Sequence, residues 1–417
     1  MRHLRLFARA GAFTIVVLIA VSAVRDADAA PSQPALVPAL SAVFTATSYA
    51  PGQLAKLRVL GRVRRLELQV IRAGAERKFS SVGKPWGPPV QYRFRRGSEN
   101  TVRVRLGAWP SGLYFVRLTA PGGRAVAFAP FVLRPAVLGT ARVAVVIPTY
   151  SWQAYNFYDS NRDGRGDSWY VDAHRHNVLL GRPFAGNGKP PHYRTQQRGF
   201  MRTLVHTGKA ADFLTDEDLE QTASGDELAA HYDAIIFSGH EEYVTTHIYD
   251  VIQRYRDLGG NLAFLSANNF FWRVDLKDRR IWRINLWRNL GRPEAALIGV
   301  QYRANDRGGH VAPYVVQNAP AAPWLFNGLG VENGSALGTA RYGIEFDMIA
   351  PESPPGTTVL ATVSPGLGDG TILGEMSYYE TPAGAKVFAA GTLSFGGSDN
   401  PVAAVLFQNL WLHLTVP

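Results

Sequence analysis

Three short segments carry side chains suited to chemistry. "SGHEEY" (238–243) sets His240 two residues before Glu242, "PTYSWQAYN" (148–156) supplies Tyr150, Trp152, Gln153, Tyr155 and Asn156, and "LSANN" (265–269) supplies Ser266, Asn268 and Asn269. Phenols, a carboxylate, an imidazole and an amide together suit a hard metal ion or a hydrolytic site. Residues two apart in an extended segment face the same way, so His240 and Glu242 would act on one surface. The competing reading is a plain loop: Thr245 and Thr246 cap a helix, the glutamates stay in water, and the aromatic rings pack underneath. The chain of 417 residues has no cysteine, which removes thiol nucleophiles and disulfides together.

A second motif, "DSNRDGRGD" (159–167), has the spacing of a calcium loop. Asp159, Asn161, Asp163 and Asp167, with the carbonyl of Arg165, fall at its ligand positions, and Gly164 falls at the sharp turn. Tyr170 stands where the usual bidentate glutamate would be, so water or a distant carboxylate must complete the shell. An Asp/Gly-rich surface turn is the plainer alternative. The embedded "RGD" and the "HRH" of His174 and His176 are weak signals, and surface residues are expected there.

The elements that must position these groups are legible in outline. "RVAVVIPTY", "YDAIIFSGH" and "NLAFLSANN" read as continuous apolar strands, separated by the helical patterns "QQRGFMRTLVHTG" and "TTHIYDVIQRYRDLGG". Strands alternating with helices predict an α/β domain, a parallel sheet with helices on both faces, over 136–417. In such sheets the reactive groups sit beyond the carboxyl ends of the strands, so the three segments should meet on one rim. Ile248, Val251, Ile252 and Tyr255 fall on the apolar face of the second helix. From about 270 to 380 the pattern is irregular and predicts β insertions. Before this domain, short alternating runs over 42–135 predict an all-β, immunoglobulin-like sandwich.

The N-terminus reads as a targeting segment. A basic start, the apolar run "AFTIVVLIAVSAV" and "ADA" at 27–29 predict a signal peptide over 1–29, followed by a Pro-rich leader over 30–41. Export to the periplasm or the exterior follows, with no transmembrane anchor once the signal is removed. The formal charge is +11, and arginine alternates with apolar residues between 58 and 105. That alternation fits the wet face of a sheet, with an anionic polymer or envelope surface as the other reading. No nucleic-acid motif is present, and no nucleic-acid partner is expected.

The blocks "TYSWQAYN", "TDEDL", "GHEEY" and "GGNLAFLSAN" occur in an order and at intervals that resemble the C-terminal domain of the N,N-dimethylformamidase large (beta) subunit family. The resemblance spans roughly 140–417 and is densest at 145–275. It implies a three-layer sheet similar to that of class I glutamine amidotransferases. It also implies a mononuclear ferric ion, Fe(III), held by two tyrosinates and a glutamate, with a histidine assisting and Asn and Glu side chains placing an amide. Carried onto this chain, Tyr155 and Glu242 would be metal ligands, His240 the acid/base and Asn268 an orienting group. Glu345 of "YGIEFD" would be the further carboxylate. One departure stands out: the family's second tyrosine resembles an "RPY" block, and this chain has Phe184 in "GRPFAG". Tyr150, Tyr158 or Tyr193 could stand in for it.

The expectation is thus an exported metal-dependent hydrolase of amide C–N bonds acting on a small linear amide. The alternative is a noncatalytic, calcium-stabilised extracellular or envelope protein that binds a glycan-like ligand, with Trp272, Trp282 and Trp287 lining its groove. Chemistry on a polysaccharide is a third class. A second copy of the chain or a small partner subunit is the candidate protein partner.

Overall fold

The computed structural model describes residues 36–76, 82–95, 100–172 and 174–416. The expected signal peptide and the start of the leader lie outside the described residues. Among the described residues no helix is long and apolar enough to cross a membrane.

The first part of the chain forms two antiparallel layers. Ser41–Phe44, Leu54–Leu60 and Thr101–Arg105 make one sheet, and the other is built around Arg65–Ala73, Gly112–Thr119 and Val126–Leu133. Alternation decides which side chains are buried. Ala55, Leu57, Val59, Val102 and Val104 point inward, whereas Lys56, Arg58, Arg103 and Arg105 are exposed. The arginine-rich zone is therefore a wetted sheet face. Phe44, Tyr114 and Phe131 stack between the layers with other apolar side chains.

The rest of the chain is a mixed α/β structure around an eight-stranded sheet. Its order is Asp212–Thr215, Val143–Ile147, Ala234–Phe237, Asn261–Phe264, Lys386–Ala389, Ile372–Glu380, Thr358–Leu367 and Val315–Val316. The first five strands are parallel and the last three antiparallel. Because a strand alternates its side chains, the sheet builds a core on each face. Val143, Val145 and Ile147 meet Phe200, Leu204 and Phe407 from the helices Arg198–His206 and Pro401–Thr415. Ala144 and Val146 share the opposite core with Ile248, Val251, Ile252 and Tyr255 of the helix Thr246–Asp257. Outer residues of the N-terminal layers, among them Ile71, Phe115 and Phe128, join the first of these cores.

The irregular stretch holds the expected β insertions, including Trp272–Lys277 and Arg280–Leu286. Of the three tryptophans expected to line a groove, Trp287 is enclosed in the core. Trp287 is buried against Tyr249, while Trp272 lies beneath the Arg283 guanidinium. Burial of the first in the core corrects the glycan-groove expectation, since a buried indole offers no face to a sugar.

An ion pair locks the N-terminal layers onto the sheet. Arg198 Nε donates to Glu76 Oε1 at 2.7 Å, with both side chains almost wholly enclosed. Burial pushes the Glu76 carboxyl up, and Arg198 pulls it back. Removing one partner strands the other charge, so Arg198→Ala is expected to lose about 3–5 kcal/mol. The double change Glu76→Leu with Arg198→Met should recover most of it, as read by urea unfolding.

Candidate functional site

The segment that follows Ala234–Phe237 is no solvated turn. From Ser238 to Thr245 every residue is buried, His240, Glu241 and Glu242 included. Thr245 does cap the next helix, its hydroxyl accepting from the Ile248 amide at 3.1 Å. The two readings of this stretch are thus both partly right: the helix is capped as a loop would cap it, while the charged groups lie indoors.

Backbone anchors hold the strand ends in place. The Glu242 amide donates to Ser151 Oγ at 3.0 Å, tying it to the helix Thr149–Ala154 that carries the first motif. The Glu241 amide donates to Asn269 Oδ1 at 2.9 Å, and the Glu242 carbonyl accepts from the amides of Phe271 and Trp272 at 3.0 and 2.9 Å. Gly396 fills the point where these segments crowd together. A Cβ there would come within 2.4 Å of the Gln196 carbonyl and 2.8 Å of the Ser238 carbonyl.

The functional side chains converge on Glu242. Its Oε2 meets His240 Nε2 at 2.8 Å and also contacts the Tyr155 hydroxyl. The Tyr243 hydroxyl donates to the Tyr155 oxygen at 3.0 Å. On the far side of the imidazole, His240 Nδ1 faces Glu345 Oε2 at 3.7 Å. Tyr170 stacks on the Tyr155 ring with centroids 4.0 Å apart. Asn268 joins the group through its backbone, whose amide donates to both oxygens of Asp347 at 2.9 and 3.0 Å. Tyr155, His240, Glu242, Asn268 and Glu345, singled out from the sequence, therefore occupy one neighbourhood. Sequence reasoning missed Tyr243 and Asp347. Tyr243 stood in the quoted "GHEEY" block, and Asp347 lies two residues after Glu345 on the strand Glu345–Met348.

Alternation splits the paired glutamates. His240 and Glu242 face the phenols, while Glu241 faces Asp216 on the other side. Asp216 Oδ2 accepts from Thr149 Oγ1 at 2.8 Å and from the Tyr150 amide at 2.7 Å. Burial raises both acids, Asp216 to about 6 and Glu241 well above the usual carboxylate range. Tyr150 belongs to this acid pair, and Tyr193 packs on Phe115 near Glu76. Tyr158 lies where its carbonyl accepts from Arg182. The phenol beside Tyr155 is instead that of Tyr243. Phe184 packs edge-on to Trp152 in the core.

Electrostatics around Glu242 favour protons or a cation. Burial, then the Glu242 charge, lifts the Tyr155 and Tyr243 phenols well above their ordinary range. Burial alone would lower the proton affinity of His240, but Glu345 and Glu242 outweigh it and hold the imidazole above its ordinary range. Among the described residues no three His, Cys, Asp or Glu side chains form a metal-holding group, so a metal here would depend on the phenols. In the 159–167 turn the carboxylates face protein donors. Asp159 accepts from the amides of Arg162, Asp163 and Gly164, Asp163 from Asn161 and the Arg165 amide, and Asp167 pairs with Arg175 at 2.9 Å. His174 and His176 are exposed.

Asp347 gives the site a pH signature. Burial pushes its carboxyl up to about 8, against the Asn268 amide, which pulls it down. Its unfolded value is near 3.8, so the folded chain holds a proton that the unfolded chain releases across that window. Its contribution to stability is therefore complete at acid pH and falls as pH rises towards 8. Asp347→Asn should flatten this component, seen as a smaller difference in unfolding free energy between pH 5 and pH 8 than in the parent chain.

The chain is 24% identical to the N,N-dimethylformamidase beta subunit of Alcaligenes sp, over 60% of this chain and 39% of that protein. It is 23% identical to the beta subunit of the same name from Paracoccus aminophilus, over 64% of this chain and 47% of that protein. The chain thus spans less than half the length of the curated relatives it matches. A solved superoxide reductase (neelaredoxin) of Ignicoccus hospitalis aligns at 15% identity over 23% of this chain and 79% of its own, with a TM-score of 0.17, and carries no structural argument. The N,N-dimethylformamidase beta subunit-like, C-terminal family model matches residues 99–285 and 280–400, a span that holds Tyr155, His240, Glu242, Asn268 and Glu345, and the chain belongs to that family.

Proposed function

We propose that the chain is an exported, metal-dependent hydrolase of amide C–N bonds. The observation that carries this reading is the meeting of two phenols, Tyr155 and Tyr243, with the buried Glu242 carboxylate beside His240. Two phenols and one carboxylate are hard oxygen donors that suit a ferric ion. Their confinement beside a buried carboxylate favours a cation in the same place. Tyr155, Tyr243 and Glu242 would hold it, with Tyr243 supplying the second phenol in place of Phe184. When bound, such an ion supplies Lewis acidity toward the amide carbonyl and toward water.

The protein's own groups do the remaining work. His240 is held between Glu242 and Glu345, which fixes the ring and raises its proton affinity, so Nδ1 can pass a proton to the departing amine nitrogen. Glu345 steadies that proton. Tyr170 lies flat on Tyr155, fixing its ring and keeping bulk water from that side. Asn268 orients the amide from its rigid loop.

The finer assignments extend the same proposal. The parallel sheet is read as glutamine amidotransferase-like and the N-terminal layers as an immunoglobulin-like sandwich, divided near 135/136. The relatives are named as beta subunits, which makes a small partner subunit or a second copy the expected assembly. The basic and apolar N-terminal pattern supports the proposed export to the periplasm or the exterior. Calcium at 159–167 is a secondary proposal, since an ion there would have to draw Asp167 away from Arg175.

Metal analysis and visible absorption test the central reading. The purified protein should contain iron and show tyrosinate-to-iron absorption, which Tyr155→Phe and Tyr243→Phe each weaken and Tyr150→Phe leaves intact. His240→Gln should keep the iron and lower kcat for a small amide by about 100-fold. A colourless, iron-free protein inactive after iron loading would overturn the proposal, and calcium in the same analysis would support the secondary site.

A further inference from the structure

The sheet of Ser41–Phe44, Leu54–Leu60 and Thr101–Arg105 turns one face to water, and the charge on that face has a single sign. Lys56, Arg58, Arg103 and Arg105 are exposed there, and no Asp or Glu stands on any of the three strands. The antiparallel register sets Lys56 directly opposite Arg103, with Leu54 opposite Arg105 and Arg58 opposite Thr101. Side chains opposite each other lie about 5 Å apart, and residues two apart on one strand about 7 Å, so the four cations share one small patch. Like charges directly across a strand pair repel and weaken the pairing. Among the described residues, none of the four side chains is held in an ion pair or a hydrogen bond.

Neither wetting nor edge protection accounts for this arrangement. A solvated face needs polar side chains, and Thr, Ser or Gln would supply them without repulsion. Charge on an edge strand blocks pairing with other chains, which covers Arg103 and Arg105 because Thr101–Arg105 lies at the margin of its sheet. Lys56 and Arg58 stand on the central strand, which has a partner on each side already. An anionic chain lying across the face would relieve the repulsion on all four at once. Beside the patch, a shallow groove is lined by Lys56, Thr101, Val102, Arg103 and Tyr92. The half-buried Tyr92 packs against the core between the layers, and the rest of its ring borders this groove. A phenol ring beside rows of cations suits a sugar that carries acid groups. The apolar face of the sugar meets the ring, and its carboxylate meets a guanidinium or ammonium group.

We infer that this face is a docking surface for an acidic polysaccharide, a linear glycan with a carboxylate on its sugar units. Lys56, Arg58, Arg103 and Arg105 pair with the carboxylates, and Tyr92 stacks on a sugar ring at the margin of the patch. The cations give the surface its attraction for polyanions, and the phenol makes it prefer a glycan over a charged surface without sugar rings. No residue of the candidate amide site takes part, so the inference stands apart from the amide-hydrolase reading.

Calorimetric titration of the full chain with polygalacturonate tests it, with dextran as the uncharged glycan and phosphatidylglycerol vesicles as the anionic lipid surface. Polygalacturonate should bind, dextran should not, and the affinity should fall as sodium chloride is raised. Lys56→Gln with Arg103→Gln should weaken polygalacturonate by about tenfold or more. Lys277→Gln with Arg124→Gln removes the same charge from exposed positions off the three strands, and should change the affinity by less than about twofold. Urea unfolding of the Lys56→Gln, Arg103→Gln variant should show stability equal to or above that of the parent, which separates weaker binding from a damaged fold. Tyr92→Leu keeps an apolar contact with the core and removes the aromatic face, and should weaken polygalacturonate by about threefold or more. No binding of polygalacturonate, or equal losses in the two charge-removing pairs, would overturn the proposal. Binding of dextran as tight as that of polygalacturonate, capture by the vesicles in preference to the glycan, or unchanged affinity in Tyr92→Leu would overturn it as well.

Discussion

A carboxylate taken out of water must find compensation, and Glu242 is taken out of water almost entirely. The strand Ala234–Phe237 is wholly apolar, and the chain leaves it without surfacing, so His240, Glu241 and Glu242 are carried into the interior. Compensation comes from three sides: an imidazole at 2.8 Å, a phenol against the same oxygen, and a second phenol behind the first. The same demand explains why His240 titrates high while the phenols resist ionisation. A cation entering this group would ease the burial of Glu242 and lower the cost of ionising both phenols. Local charge and the proposed chemistry therefore point the same way.

Holding such a cluster requires a frame that cannot relax to release the strain. Parallel strands supply it, because their carboxyl ends lie side by side and the following loops are forced together. The loop after Val143–Ile147 brings Tyr155, that after Ala234–Phe237 brings His240 and Glu242, and that after Asn261–Phe264 brings Asn268. The insertion strand Glu345–Met348 leans on the segment just after the fifth parallel strand, with the Leu393 amide donating to the Glu345 carbonyl at 3.1 Å and the Asp347 amide to Gly391. An excursion from the irregular part of the chain thus reaches the same rim as the regular part.

How much of this could be read from residue order follows from the physics. Apolar strands and amphipathic helices are written in local periodicity, so the parallel sheet and the buried face of Thr246–Asp257 were legible. The convergence of Tyr155, His240, Glu242 and Asn268 followed from sheet geometry once the strands were placed. Glu345 was reached only through family resemblance, because its strand pairs with Gln301–Asn305, far from the other motifs in sequence. Tyr243 was in plain view but unused, since local pattern cannot say which aromatic beside a strand end turns toward the acids. Tyr150 looked as good and went to Asp216 instead. The glycan groove failed for a related reason: a run of tryptophans has one composition whether it packs inward, as Trp287 does, or stays at the surface.

The adjacent glutamates show what that alternation achieves. Glu241 and Glu242 are neighbours in sequence with opposite surroundings: one shares a buried pocket with Asp216, and the other meets His240 and the phenols. Two carboxylates on one face would repel each other and compete for His240, whereas an extended backbone separates them without any extra residue. The pair on the far side is most easily accommodated by sharing a proton, as the raised affinity of both acids indicates. That leaves the near side with a single carboxylate on which the histidine and the phenols can agree. A one-residue shift of register in this extended segment, with the number of acids unchanged, would be enough to dismantle the site.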